Sequence, residues 1–430
     1  MKKFNYFVFF VLLISNAVNA QEPQKLNSNQ IYEKLQKLNF IGSALYIAAH
    51  PDDENTRLIS YLANKVKART AYLSMTRGDG GQNLIGPEIR ELLGLIRTQE
   101  LLAARKIDGG EQLFTRANDF GYSKHPDETL KFWNKDKVLS DVVWAIRTFK
   151  PDVIINRFNH RTKGTTHGHH TASAMLSVEA FDLASYPNKY PNQLQYREAT
   201  VWKPQRLFFN TSWWFYGSQE AFAKATKGKL ISFDVGVYYP LKGLSNNELA
   251  SMASSQHLCQ GFGRVTSRGS QKEYVEFLKG TKPKDKSDIF SGINTTWNRL
   301  KGGGDIGDIL YEVEKNFNFK NPSKHLPDLL NAYDKIRLLE DSHWSKIKTQ
   351  QIKEIIEACA GLYLEVSATS SSATPNGTIQ LNIEVLSRSN YTTFFYSYTV
   401  LGNKVLLTKE QEKQLENNKR LNIKDSFTLK

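Results

Sequence analysis

The sequence predicts an α/β protein built on a mostly parallel sheet, and three observations carry that prediction. Over residues 40–240, apolar strand-like runs alternate with helix-period stretches, the order that puts helices on both faces of a parallel sheet. Runs such as Val153-Ile154-Ile155 are apolar at consecutive positions, as strands covered on both sides require. The first such run ends directly in Ala49-His50-Pro51-Asp52-Asp53-Glu54, and the carboxyl ends of strands are where open α/β sheets bind their ligands. The predicted architecture is Rossmann-like, with a helical region and a partial β-sandwich-like C-terminal segment after it.

The elements follow in order. Residues 1–20 read as a secretory signal peptide: Lys2 and Lys3, an apolar stretch over residues 7–14, then Val18-Asn19-Ala20 as a small-residue cleavage pattern. The apolar stretch is short for a spanning helix, and no later segment is apolar enough to span, so the mature chain is expected to have no integral membrane span. Residues 21–243 form the α/β domain. Strands are expected over 44–48, 70–74, 152–156 and 206–210, the last two behind Pro151 and Pro204. Helices are expected over 88–106 and 136–149. Residues 244–366 form the helical region, opened by the capping-box pattern Ser245-Asn246-Asn247-Glu248 and continued by helices over 305–317, 326–340 and 345–364. Residues 367–430 are β-rich. Ile379, Leu381, Ile383 and Val385 alternate with polar residues as a half-exposed strand does, and the segment reads as a sandwich cut short or as a small sheet.

Composition narrows the function. A chain of 430 residues is too long for one ordinary core. Loss of Lys2 and Lys3 with the signal takes the net charge from +14 to +12, because residues 1–20 hold no acids. The positive excess is spread thinly, as in Lys65-Val66-Lys67-Ala68-Arg69, with no dense block to track a phosphate backbone, so nucleic acid is not an expected partner. Attraction to anionic glycans stays open. Two cysteines, Cys259 and Cys359, make no disulfide framework.

Two clusters carry the chemistry. His50 and Asp53 stand three apart at a strand end, and His167 and His170 repeat that spacing in Thr166-His167-Gly168-His169-His170. Zinc accepts imidazole nitrogen and carboxylate oxygen, and three protein ligands leave a fourth position for water. The expected ligands are His50, Asp53 and His170. His169 is an alternative to His170 that spacing does not exclude. Asp52 is then free to act as general base on water activated by the ion, and His167 to act as acid or to hold a developing oxyanion. Zn2+ suits this donor set, and Fe2+ is accepted by it as well. The arrangement predicts metal-assisted hydrolysis of an amide or ester. No Gly-x-Ser-x-Gly elbow supports serine chemistry.

Ala49-His50-Pro51-Asp52-Asp53-Glu54 resembles the signature of the PIG-L/LmbE-like family of zinc-dependent de-N-acetylases. The resemblance implies zinc on His50 and Asp53, with Asp52 as base. The family's second motif, usually His-Pro-Asp-His, is matched by His167-Gly168-His169-His170. This implies His170 as the ligand and His167 as the residue assisting the transition state, with Gly-His in place of Pro-Asp. Thr76-Arg77-Gly78-Asp79-Gly80-Gly81 is similar to the family's glycine-rich acidic loop, and Arg97-Thr98-Gln99-Glu100 to its Arg-x-x-Glu helix segment. Asp119 falls where the family has a sugar-contacting aspartate. Asp79, Arg97 and Asp119 are therefore the implied substrate-binding residues. The similarity runs from about Leu45 to Val178 and then weakens.

An exported enzyme of this kind is expected to remove the N-acetyl group from an N-acetylated amino sugar or glycoconjugate. Trp213-Trp214-Phe215-Tyr216 either stacks on a sugar face or fills the core. The alternatives are an esterase or deacylase using the same site, and a non-catalytic secreted glycan-binding protein.

Overall fold

The computed structural model describes residues 25–263, 266–400, 403–406 and 413–429. The signal peptide expected over residues 1–20 lies outside the described residues. These fall into two compact units, residues 32–317 with 327–353, and a second made of residues up to 31 with 318–326 and 354–430. Among the described residues no helix is long and apolar enough to cross a membrane.

The first unit is a seven-stranded sheet in the order β3-β2-β1-β4-β5-β9-β6. Its strands are β1 (Ser43–Ala48), β2 (Arg69–Ser74), β3 (Glu111–Phe114), β4 (Val153–Asn156), β5 (Arg206–Thr211), β6 (Leu230–Asp234) and β9 (Lys272–Gly280). The ribbon β7 (Tyr238–Tyr239) and β8 (Leu244–Ser245) stands apart from it. The pairs β1–β2, β1–β4, β2–β3 and β4–β5 are parallel, while β9 runs antiparallel to both β5 and β6. The sheet is thus mostly parallel, as the strand–helix alternation predicts.

Side-chain alternation along β1 feeds two cores. Leu45 and Ile47 point to one face, where they meet Val142, Ile146, Leu176 and Leu207. Ala44, Tyr46 and Ala48 point to the other, with Leu58, Leu62, Leu101 and Phe208. Both faces are therefore covered. Leu45 is fully buried, so Leu45→Ala is expected to lower unfolding stability by about 2–5 kcal/mol in a denaturant titration.

The order in which strands are added reverses between β1 and β4, parallel neighbours although β2 and β3 separate them in sequence. This is the switch point where ligands of open α/β sheets bind. The signature leaves β1 there, and the histidine cluster opens the helix Gly168–Leu183 that follows β4.

The stretch read as helical opens as expected: Ser245 and Glu248 close both bonds of the capping box on the helix Asn246–Ser254. Strand β9 follows it and was not foreseen. Helices at Gly304–Lys315, Leu326–Arg337 and Ser342–Cys359 come after. In the second unit the strands β10 (Tyr363–Ala368), β11 (Thr378–Leu386) and β16 (Leu421–Thr428) make an antiparallel sheet. Its small core is Ile383, Val385 and Leu415, packed by Phe395 and Tyr398. Cys259 and Cys359 are free and buried.

Candidate metal centre

The chain leaves β1 in a tight turn. Tyr72, buried in β2, donates its hydroxyl to the His50 carbonyl at 2.5 Å, which fixes the start of the turn. Asp52 sits at φ 90°, outside the range most side chains tolerate. That twist sends neighbouring carboxylates to different tasks. Asp53 turns toward the imidazoles, with Oδ2 3.1 Å from His50 Nδ1 and Oδ1 3.4 Å from His170 Nε2. Asp52 turns toward Arg97, whose Nη2 lies 3.1 Å from its Oδ1.

The second cluster reaches the same place from the helix Gly168–Leu183. His167 is its N-cap, and His167 Nδ1 accepts from the His169 N–H at 3.1 Å. The neutral ring then carries its proton on Nε2. His170 is held flat against Phe158, with ring centroids 3.8 Å apart and planes within 4°. His169 is fully buried between Phe120 and Trp133, with Nδ1 2.9 Å from His50 Nε2.

Two triplets offer ligand atoms that all lie within 4.8 Å of one another: His50, Asp53 and His170; and His50, His167 and His169. They share His50. In tetrahedral zinc with bonds near 2.1 Å, neighbouring ligand atoms stand about 3.3 Å apart. The 3.1 and 3.4 Å separations, made by the two different oxygens of Asp53, are of that order, and the first set is compatible with such an ion. His170 keeps a quarter of its side chain exposed while His169 keeps none; His167, in the second set, is half-buried.

The charges divide in the same way. Burial raises the Asp53 carboxyl, but His170 and His50 overcome it and hold the group well below the usual carboxylate range. For Asp52, burial prevails over Arg97 and pushes the carboxyl up to about 7. Burial and neighbouring imidazoles depress His167 to about 4 and His169 to about 2, so both rings are neutral at physiological pH.

The other expected contact residues are placed as follows. Arg97 is 3% exposed, and its guanidinium donates to the Gly78 carbonyl at 3.1 Å and the Pro51 carbonyl at 2.5 Å. Gly78 has φ 72°, and a Cβ there would collide with that guanidinium, so glycine is required. Arg97 therefore reaches the centre through Asp52 and the backbone beside it. Asp119 is close to the imidazoles, 3.8 Å from His50 Nε2 and from His169 Nδ1. Asp79 stands one step back, accepting the Asp119 N–H at 3.3 Å. The aromatic run divides: Phe215 packs against the core and Phe209, while Trp213 and Trp214 are 49% and 66% exposed beyond β5, at the same end of the sheet as the signature.

Residues 45–181 match the model of the PIG-L family, described as GlcNAc-PI de-N-acetylase. Over these residues the chain is similar to that family, and the likeness supports, in general terms, a metal-dependent de-N-acetylase. Among solved structures, the N,N'-diacetylchitobiose deacetylase from Pyrococcus horikoshii is similar at 17% identity, over 39% of this chain and 59% of that one, with a TM-score of 0.32. GalB, the 4-carboxy-2-hydroxymuconate hydratase from Pseudomonas putida KT2440, is similar at 14% identity over 57% of this chain and 99% of its own, with a TM-score of 0.37. A deacetylase of the teicoplanin biosynthetic pathway shares 15% identity over 56% of this chain and 100% of its own, with a TM-score of 0.30. No curated protein matches.

Sequence reasoning left two parts of this site without a role. Glu54 was read only as the last letter of the signature, and His257 was not read at all. Glu54 is fully buried and takes His257 Nε2 at 2.8 Å and Arg105 Nη2 at 3.2 Å on one oxygen. Nothing around His257 in the sequence marks it, because its partner lies 203 residues away.

Proposed function

We propose that this protein is an exported, metal-dependent de-N-acetylase acting on an N-acetylated amino sugar or glycoconjugate. The observation that carries the reading is the meeting of His50, Asp53 and His170 around one small volume, with a second carboxylate, Asp52, beside it and outside the triplet. His50, Asp53 and His170 would hold Zn2+, or Fe2+, whose chemistry when bound is to polarise an amide carbonyl and ease deprotonation of water. Asp52 takes a proton from the attacking water, and its position is set by Arg97. His167, whose neutral ring presents its Nε2–H, stabilises the oxyanion that develops on the amide, and the proton that Asp52 took from the water passes on to the departing amine. Asp119, its side chain 4% exposed and 3.8 Å from His50 Nε2, is the proposed contact for a sugar hydroxyl. Export rests on the pattern of residues 1–20 alone.

The test is elemental analysis of purified protein, followed by acetate release from a panel of N-acetylated sugars. About one equivalent of bound metal is expected. Chelator is expected to abolish acetate release, and Zn2+ or Fe2+ to restore it. Acetate release that survives complete metal removal would overturn the reading. Trp214 is the proposed sugar platform, and Trp214→Ala is expected to raise KM roughly 3- to 10-fold with kcat little changed, as loss of one aromatic contact implies.

One observation favours a second reading, a deacylase of longer acyl chains. Leu84, Ile85, Ile89, Leu92 and Leu95 are each 60–65% exposed on the loop and helix that begin at the Arg97-binding glycine. Longer N-acyl sugars belong in the same panel. A kcat/KM that rises with chain length selects this reading over the first.

A further inference from the structure

Asp52 occupies its position against backbone preference. At φ 90° it is in a region that L side chains rarely adopt, and such conformations persist only where the surroundings over-determine them. One restraint is Arg97 on its side chain. The other is Glu54, whose Oε2 accepts the Asp52 N–H at 2.8 Å. Glu54 Oε1 is in turn held by His257 Nε2 at 2.8 Å and by Arg105 Nη2 at 3.2 Å. His257 has a side chain 1% exposed, and its Nδ1 has no partner. Among the described residues, the ring's one hydrogen bond is the one to Glu54.

The segment carrying His257 is tied to the centre at further points. Cys259 donates its backbone N–H to Glu100 Oε1 and its thiol to Glu100 Oε2, each at 2.8 Å. The Leu84 N–H donates to the Cys259 carbonyl at 2.9 Å, and Gln260 Nε2 donates to the Gln82 carbonyl at 2.7 Å. Residues 257–260 thus hold the signature, the Arg97 helix and the glycine-rich loop together. They lie outside the family match over residues 45–181.

We propose that His257 is a positioning residue that fixes the base Asp52 through Glu54, so that a segment beyond the family match completes the site. The proposal rests on the reading of Asp52 as base. Removing the imidazole leaves Glu54 anchored by Arg105 alone, free to turn and release the Asp52 N–H. Asp52 can then relax out of its strained conformation and lose its aim at the attacking water. A displacement of about 1 Å in a catalytic group is enough to cost some 100-fold in rate.

The experiment uses the full chain with metal bound and compares wild type, His257→Ala, His257→Phe and His257→Gln. Hydrogen–deuterium exchange is followed in peptides covering residues 50–54 and, as a control, β5. His257→Ala and His257→Phe are expected to speed exchange at residues 50–54 with β5 unchanged. They are also expected to lower kcat about 10- to 100-fold with metal content retained, the range for supporting groups around a metal site. KM should stay within about threefold of wild type, since substrate contacts are untouched. His257→Gln, which can place a donor near the position of Nε2, restores both readouts toward wild type. Unchanged exchange at residues 50–54 in both donor-free variants overturns the proposal, and so does equal loosening of β5. Faster exchange with undiminished kcat overturns the positioning role. If His257→Ala does not fold, His257→Phe, which keeps the volume without the donor, decides the matter. Exchange needs no substrate, so a wild-type protein inert toward every N-acetylated sugar sinks the deacetylase reading while the brace is still tested.

Discussion

Asp52→Ala is expected to lower kcat/KM by about 100- to 10,000-fold, the usual contribution of a positioned general base. The metal should remain bound, because Asp52 points away from the triplet and toward Arg97. The combination is what matters. A loss of turnover with metal retained assigns Asp52 to proton transfer, whereas a loss of both would make it a ligand. Asp52→Asn sharpens the test, since it keeps the shape and removes the basic oxygen. Steady-state kinetics with elemental analysis of each variant reads both quantities. Asp52→Asn turning over like wild type would remove the base from the account.

His170→Ala is expected to do the opposite in the metal measurement. It removes one of three donors from a site that holds the ion by chelation, so bound metal should fall well below one equivalent, with turnover lost in proportion. His169→Ala discriminates between the two overlapping triplets. His169 is sealed between Phe120 and Trp133, and its loss is expected to destabilise the fold through the cavity it leaves while metal stays bound. The reverse pattern, metal lost with His169 and kept with His170, would place the ion among His50, His167 and His169.

Much of this architecture is legible in the sequence, for physical reasons. Strands β1, β2, β4 and β5 are buried on both faces, so their apolar runs stand out, and their observed ends differ by one residue at most from those read. Pro151 and Pro204 mark the entry to two of them. Strand β9 is different. It is antiparallel, and its apolar positions Tyr274, Val275, Phe277 and Leu278 are broken by Glu273, Glu276 and Lys279, so no run announces it. The site divides along the same line. Residues close in sequence, such as His50 and Asp53, reveal themselves by spacing. The different tasks of Asp52 and Asp53 do not, because they depend on a positive φ at Asp52 that nothing in its neighbours signals. Arg97 can be read as a polar residue near a glycine-rich loop, but its burial against Gly78 and Pro51 emerges only when strand and helix pack. The link from His257 to Glu54 spans most of the domain and has no local trace at all.

The central claim is that one ion is gripped by two loops from opposite sides of the sheet's switch point. Anomalous diffraction from metal-loaded crystals, recorded on both sides of the zinc absorption edge, tests it directly. The account predicts a single strong peak in contact with His50, Asp53 and His170, with Asp52 near it and not bound to it. A peak enclosed by His50, His167 and His169, or none within reach of Asp53, would contradict it.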